Sequence, residues 1–214
     1  MEAGAYYDQR SDHPAFGGSQ RRSQCMSWTV KEKMTTAGRY FLLFIFVSFL
    51  GWLGETIGCS IDIGAYCDRG FVNMPLCTIY GFTVLILYAL LGTPERGGMI
   101  LREIRSPYLR VPLYFVLGTL ITTALEFFVG WFFADVLGAK LWDYSYYPDH
   151  FQGHICLRFS ILWGILILLG MKYVFGPVRR VIAGLPVNRL LLISGISAFL
   201  LLTDWIVSFS QILF

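Results

Sequence analysis

Five apolar stretches, spaced so that each can enter a lipid bilayer, restrict the fold of this chain more than any other feature. A helix crossing the hydrocarbon needs about 20 mostly apolar residues. In lipid its backbone polar groups must be satisfied within the element, so continuous runs of this kind become helices. The stretches cover residues 40–60, 76–91, 112–137, 155–175 and 190–211. The second is short, and the MPLC sequence at 74–77 ahead of it reads as a broken or re-entrant piece. Composition agrees: 56% of residues are hydrophobic and only 14% charged, where a water-soluble domain carries roughly a quarter charged residues. Mean hydropathy is +0.59. The expected fold is an all-α polytopic membrane domain over 38–214, with about five transmembrane helices. Residues 1–37 are polar, hold too little apolar surface to bury, and are expected to form a disordered cytoplasmic tail in which His13 is solvated. No apolar h-region follows a short basic start, so no cleaved signal is expected.

Lysine and arginine set the direction of insertion, because cytoplasmic loops carry them in excess. Arg10, Arg21, Arg22, Lys31, Lys33 and Arg39 precede or open the first stretch, and Arg96, Arg102, Arg105 and Arg110 follow the second. Lys172, Arg179, Arg180 and Arg189 surround the turn between the fourth and fifth. Fourteen of the seventeen cations thus fall on one side, against Arg69, Lys140 and Arg158 on the other. This predicts a cell-membrane protein with its N-terminus inside and its C-terminus outside. The cations form no stripe suited to nucleic acid. The outer segments, 61–75 and 138–154, carry Asp62, Asp68, Asp143 and Asp149. Trp142, Tyr144, Tyr146 and Tyr147 form an interfacial cluster, read as a membrane anchor or as a gate built on Trp142, Asp143 and Tyr144.

Charged residues inside spans decide where function is sought. Glu55, Glu126 and Asp204 lie in the first, third and fifth stretches, and such residues cost roughly 2.5–3.5 kcal/mol each at a helix centre. They should face the bundle interior or a wet cavity rather than lipid. Counted at about 1.5 Å per residue, all three sit about 21–22 Å from the inner edge, roughly two-thirds of the way across a core about 30 Å thick. Arg158 falls at a similar level. Two readings follow. In one, Arg158 bridges Glu55 and Glu126 as a structural network. In the other, the four residues line a polar site whose unmatched negative charge suits proton coupling or a cationic or amine-bearing substrate. Arg69 is the reserve partner if its loop folds inward.

A weak internal repeat supports such a site. PLCTIYG at 75–81 resembles RFSILWG at 158–164, and each opens an inward-running span. Both preceding spans carry a Gly-Trp pair (Gly51–Trp52 and Gly130–Trp131) and one Glu. Spans one and two would then repeat as three and four, with the fifth added; chance likeness of two apolar helices is the alternative. Transporters built from repeats place their sites at the repeat interface. Cys59, Cys67, Cys77 and Cys156 fall near the outer face, where Cys59 with Cys67, or Cys77 with Cys156, could pair. Cys77 and Cys156 also flank the proposed gate. His150 and His154 beside Asp149 read as a polar loop rather than a metal site. No phosphate-binding loop, nucleophile elbow or HExxH motif is present, so no cofactor, metal or soluble-type enzyme chemistry is expected.

FLGWLGE at 49–55, RGFVNMPLCTIYG at 69–81, ALEFFVGW at 124–131, WDYS at 142–145 and GHICLRFSILWG at 153–164 occur in an order that resembles the bacterial family described as putative ABC-transporter type IV. The resemblance covers roughly residues 40–176. His154 and the VNM at 72–74 depart mildly from its pattern and leave Glu55, Glu126 and Arg158 in register. It implies a permease-like role and a separate cytoplasmic ATPase. No EAA-type coupling signature is present, and MILREIRSPYLR at 99–110 reads either as the ATPase dock or as a helix lying on anionic lipid. Three functions stay open. The first is a transporter subunit moving a small solute, aided by homo-oligomerisation because five spans enclose little volume. The second is a non-transporting scaffold with a structural charge network. The third is a lipid-modifying membrane enzyme using a carboxylate and Arg158.

Overall fold

A bilayer offers the backbone no hydrogen-bond partners, so each apolar run closes its own helical ladder. The computed structural model describes residues 18–213, with side chains from residue 29 onward. Helices α1 (Gly18–Ile63), α2 (Thr78–Leu91) and α3 (Pro107–Trp131) come first, and α3 runs on through a π-helical turn, Phe132–Val136. Strands β1 (His150–Phe151) and β2 (Ile155–Cys156) make a two-residue antiparallel ladder. Helix α4 (Leu157–Leu169) continues through a second π-helical turn, Gly170–Val174, into α5 (Phe175–Ala183), and α6 (Val187–Leu213) closes the chain. Among the described residues four segments are long and apolar enough to cross a membrane: Thr29–Ile63, Pro107–Val136, Leu157–Ala183 and Val187–Leu213. Helix α1 is continuous from Gly18, so it takes in residues 18–37 of the expected tail. Residues 1–17, His13 among them, lie outside the described residues.

The second expected span is where the architecture departs from a plain row of crossings. Helix α2 has 14 residues, about 21 Å of helix against a core of about 30 Å. Pro75 cannot donate a backbone hydrogen bond and pushes the residue before it out of helical conformation, so the helix starts only at Thr78. The stretch before it is a non-helical segment that runs beside α1, where the Cys77 amide donates to the Ser48 carbonyl at 2.9 Å. Non-helical backbone at membrane depth is tolerated where protein covers it. Here Val72 and Leu76 are buried with Phe44 and Leu201.

The internal repeat has a defined register. A side chain on Gly81 would overlap Phe44 and Ser48 of α1, and one on Gly164 would overlap Phe115 and Thr119 of α3. Phe44 to Phe115, Ser48 to Thr119 and Glu55 to Glu126 are each 71 residues apart, while Gly81 and Gly164 follow Tyr80 and Trp163. The halves α1–α2 and α3–α4 are therefore packed alike, each through a glycine that lets two helices approach closely. The Gly-Trp pairs are not part of this register. Gly51 accommodates the Tyr80 ring, whereas Gly130 accommodates Trp142 and His154.

At the end of the bundle holding Arg39, a buried cluster joins Leu43, Leu87, Leu91, Leu101, Tyr114, Phe175, Ile182 and Leu190. Segment 99–106 is a series of turns, not a helix lying on a surface, because Leu101 is pulled fully into this cluster. Arg110 fixes the turns by donating to the carbonyls of Ile104 at 2.7 Å, Arg105 at 3.0 Å, and Glu95.

Gly164→Leu is expected to destabilise the purified protein by about 1–3 kcal/mol through overpacking against Thr119, seen as a lower thermal midpoint in detergent. Gly195→Leu, which meets open space on α6, should leave the midpoint unchanged or raise it.

Candidate functional site

Each glycine contact closes one half, and the polar side chains beside these contacts converge where the halves meet. Tyr80 lies one position before Gly81, and its hydroxyl donates to Glu55 Oε1. Its ring meets the Trp163 ring, from the equivalent position of the other half, edge-on at 5.4 Å between centroids. Glu55, Tyr80 and Glu126 lie within electrostatic reach of one another. Two carboxylates and two aromatic rings, one of each from each half, therefore share the repeat interface.

The carboxylates differ in their partners. Glu55 meets Arg69 Nε at 3.5 Å, and both side chains are partly exposed. Arg69 reaches it because its loop folds inward. The Arg69 amide donates to Thr56 Oγ1 at 3.3 Å, the Cys67 amide to Ser60 Oγ at 3.0 Å, and Trp52 Nε1 to Asp68 Oδ1 at 2.7 Å. A disulfide between Cys59 and Cys67 closes the same turn, while Cys77 and Cys156 are free. Glu126 has only 7% of its surface exposed, and among the described residues no cation pairs with it. The Tyr144 hydroxyl donates to Oε1 at 3.1 Å. Oε2 is buried without a hydrogen bond; the Trp163 indole stands close by but falls short of hydrogen-bond geometry.

Tyr144 is delivered by the 138–156 segment, which folds over the end of α3. Trp142 Nε1 donates to the His154 carbonyl at 2.8 Å, and the Tyr144 amide to the Gly153 carbonyl at 2.9 Å. Gly153 takes a positive φ of 74° in the β1–β2 turn, a conformation that favours glycine. Asp143 accepts from Lys140 Nζ at 2.6 Å, from the Ser145 hydroxyl at 2.6 Å and from the Ser145 amide at 2.9 Å, and these donors hold its carboxyl well below the usual range. The Tyr144 ring stacks on Phe159 at 5.1 Å. Burial, with the Glu126 carboxylate next to it, pushes the Tyr144 phenol up.

Two of the sequence-predicted site residues are elsewhere. Arg158 does not bridge Glu55 and Glu126. Its guanidinium holds Asp149 Oδ1 through Nε at 2.9 Å and through a second nitrogen at 2.7 Å, and its amide donates to Oδ2 at 3.0 Å. Asp149 thus caps the first turn of α4, where free amides favour an anion, and Arg158 holds its carboxyl well below the ordinary range. Asp204 also stays out of the carboxylate pair. Its Oδ1 accepts from the Asn73 amide at 3.2 Å and from Asn73 Nδ2 at 2.8 Å, and its Oδ2 from the Met74 amide at 2.8 Å. It clamps the non-helical segment, satisfying amides that Pro75 keeps out of a helix. His154 Nε2 pairs with Asp135 Oδ2 at 2.9 Å in the π-helical turn. Among the described residues no group of His, Cys, Asp or Glu converges to hold a metal. Tyr80, Trp163 and Asn73 were not singled out from sequence, and Asp149 was noted only as an outer acid beside His150. The alignment of PLCTIYG with RFSILWG already sets Tyr80 against Trp163, and that was the available signal.

Four bilayer-length helices, a short fifth and a polar level inside them define a multi-pass helical membrane protein. A family model described as Putative ABC-transporter type IV matches residues 42–209, and the chain belongs to that family. No curated protein and no solved structure matches the chain.

Charge-assisted hydrogen bonds are worth about 1.5–3 kcal/mol each. Asp204→Ala is therefore expected to speed hydrogen exchange at Asn73 and Met74 by about 10–100-fold, read by mass spectrometry, with α3 and α4 unaffected.

Proposed function

We propose that the chain is the membrane component of a transporter rather than an enzyme, with its solute site at the Glu55–Glu126 level between the two repeats. The observation that carries this reading is Glu126. It is a carboxyl group in a bilayer-length helix, buried, with no cation paired to it among the described residues and one oxygen lacking a hydrogen bond. Such a group is costly in lipid and marks a functional path more often than a structural knot. Its place at the interface of two like-packed halves supports the same reading, since transporters built from repeats bind substrate there. Family membership agrees.

The tail-bearing end faces the cytoplasm of a cell membrane in this reading, and the C-terminus lies outside. The support is the cation distribution. Arg39 donates to the Ala183 carbonyl and Arg179 to the Tyr88 hydroxyl, so the basic segments meet at one end, while Arg69, Lys140 and Arg158 stand at the other. The site then opens toward the outside, with the Tyr144 segment over it. Exposed Arg102 and Arg105 are the surface for the ATPase that the family name implies.

One observation favours the rival reading, a non-transporting scaffold. Tyr144 closes over Glu126, and the clefts along Thr29–Tyr40 of α1 and Leu202–Leu213 of α6 do not reach it. In a transporter this is an occluded arrangement; in a scaffold it is permanent. Proteoliposomes loaded with a panel of radiolabelled amino acids, amines and sugars separate the two. Glu126→Gln should lower counterflow of the transported solute at least 100-fold while the protein stays folded. Counterflow unchanged by that substitution, or none for any solute, removes the transport reading. Orientation is checked by an impermeant maleimide on intact cells lacking other reactive thiols. Ser210→Cys should label, and Lys33→Cys should not.

A further inference from the structure

We infer that the site between Glu126, Trp163 and Tyr144 takes a small protonated amine bearing at least one N–H, a substrate class that rests on the transport-site reading and sharpens it. Three features of the site lead there. The first is charge. Glu55 is already partnered by Arg69, so an ionised Glu126 is the one carboxylate of that group whose charge is left for a single cation to balance. The second is hydrogen bonding. Glu126 Oε1 has the Tyr144 hydroxyl, whereas Oε2 is buried with no hydrogen bond, the nearby Trp163 indole falling short of one. A buried acceptor left empty carries a desolvation cost that a ligand N–H would remove. A quaternary ammonium has no proton to give.

The third is the wall. Trp163 and Tyr80 meet edge-on, Tyr144 stacks on Phe159, and both pairs adjoin the carboxylates. Aromatic faces attract an organic cation through the ring quadrupole. A hard divalent cation such as Mg2+ or Ca2+ instead wants six or more oxygen ligands, and among the described residues no cluster of acidic, His or Cys side chains supplies even three ligands for any metal. The walls therefore select an ammonium with a compact apolar body. Tyr144 covers Glu126 from the 138–156 segment, so the amine enters as the Tyr144 side chain swings away and its N–H groups take over the carboxylate.

The test uses the full chain in lipid nanodiscs, with calorimetric titration of benzylamine, its neutral counterpart benzyl alcohol, and tetramethylammonium. Benzylamine is expected to bind at least tenfold more tightly than either of the others. Glu126→Gln should weaken it at least tenfold, and Trp163→Leu at least threefold. Equal binding of benzyl alcohol, equal binding by Glu126→Gln, or no amine binding at all overturns the assignment. If Glu126→Gln does not yield folded protein, Trp163→Leu decides, and unchanged affinity there overturns it. The two readings fail separately. Amine binding without counterflow upholds the ammonium site and removes transport. Glu126-dependent counterflow of another solute class, with no amine bound, overturns the ammonium site and leaves transport standing.

Discussion

The close approach of α2 to α1 at Gly81, matched by that of α4 to α3 at Gly164, is the contact on which the rest of the structure depends. Lipid tails are as apolar as leucine, so helices in a bilayer gain little from burying apolar surface and associate through close packing instead. Glycine opposite Phe44 and Ser48, and glycine opposite Phe115 and Thr119, lets each hairpin close. The residue before each glycine then meets its counterpart across the interface, and Glu55 and Glu126 come within electrostatic reach of each other. A shared carboxylate level follows from two small residues placed alike in two halves.

The remaining polar groups follow from what that packing leaves unsatisfied. Shortening α2 leaves amides ahead of Pro75 without a helical partner, and Asp204 from α6 supplies them. The folded-in loop carries Arg69 to Glu55, held by the Cys59–Cys67 disulfide and by Thr56 and Trp52. The end of α4 is capped by Asp149, which in turn occupies Arg158. Once those pairs are made, Glu126 is left without a paired cation among the described residues, and Tyr144 is its partner. Function is assigned to it because each other ionisable group there has structural work to do.

Much of this was legible in the sequence, for reasons that can be stated residue by residue. Bilayer-length helices are written in uninterrupted apolar runs, and the break before α2 in Pro75. The embedded Glu residues were legible because charge in such a run is expensive. Partner choice was not. Depth along a helix places Arg158 beside the carboxylates, but its own amide and guanidinium are satisfied locally by Asp149, nine residues earlier, at no cost in loop ordering. Asp204 shares the depth of Glu55 and Glu126, yet α6 packs against α1 and the 71–77 segment, so it faces backbone amides instead. The repeat was visible in PLCTIYG and RFSILWG. The Gly-Trp pairs blurred its register, because each glycine accommodates a ring of different origin.

The central claim is that the two halves meet so that Glu55 and Glu126 form one site, and the Tyr80–Trp163 contact is its most direct marker. Cross-linking tests it in native membranes, in a background with Cys25, Cys77 and Cys156 changed to Ser. Tyr80→Cys combined with Trp163→Cys should be joined within the chain by a short bifunctional thiosulfonate, as ring centroids 5.4 Å apart require. Tyr80→Cys combined with Leu169→Cys, which is exposed on the outer face of α4, should not. Absence of the first cross-link, or equal yields from both pairs, would contradict a shared site between the halves.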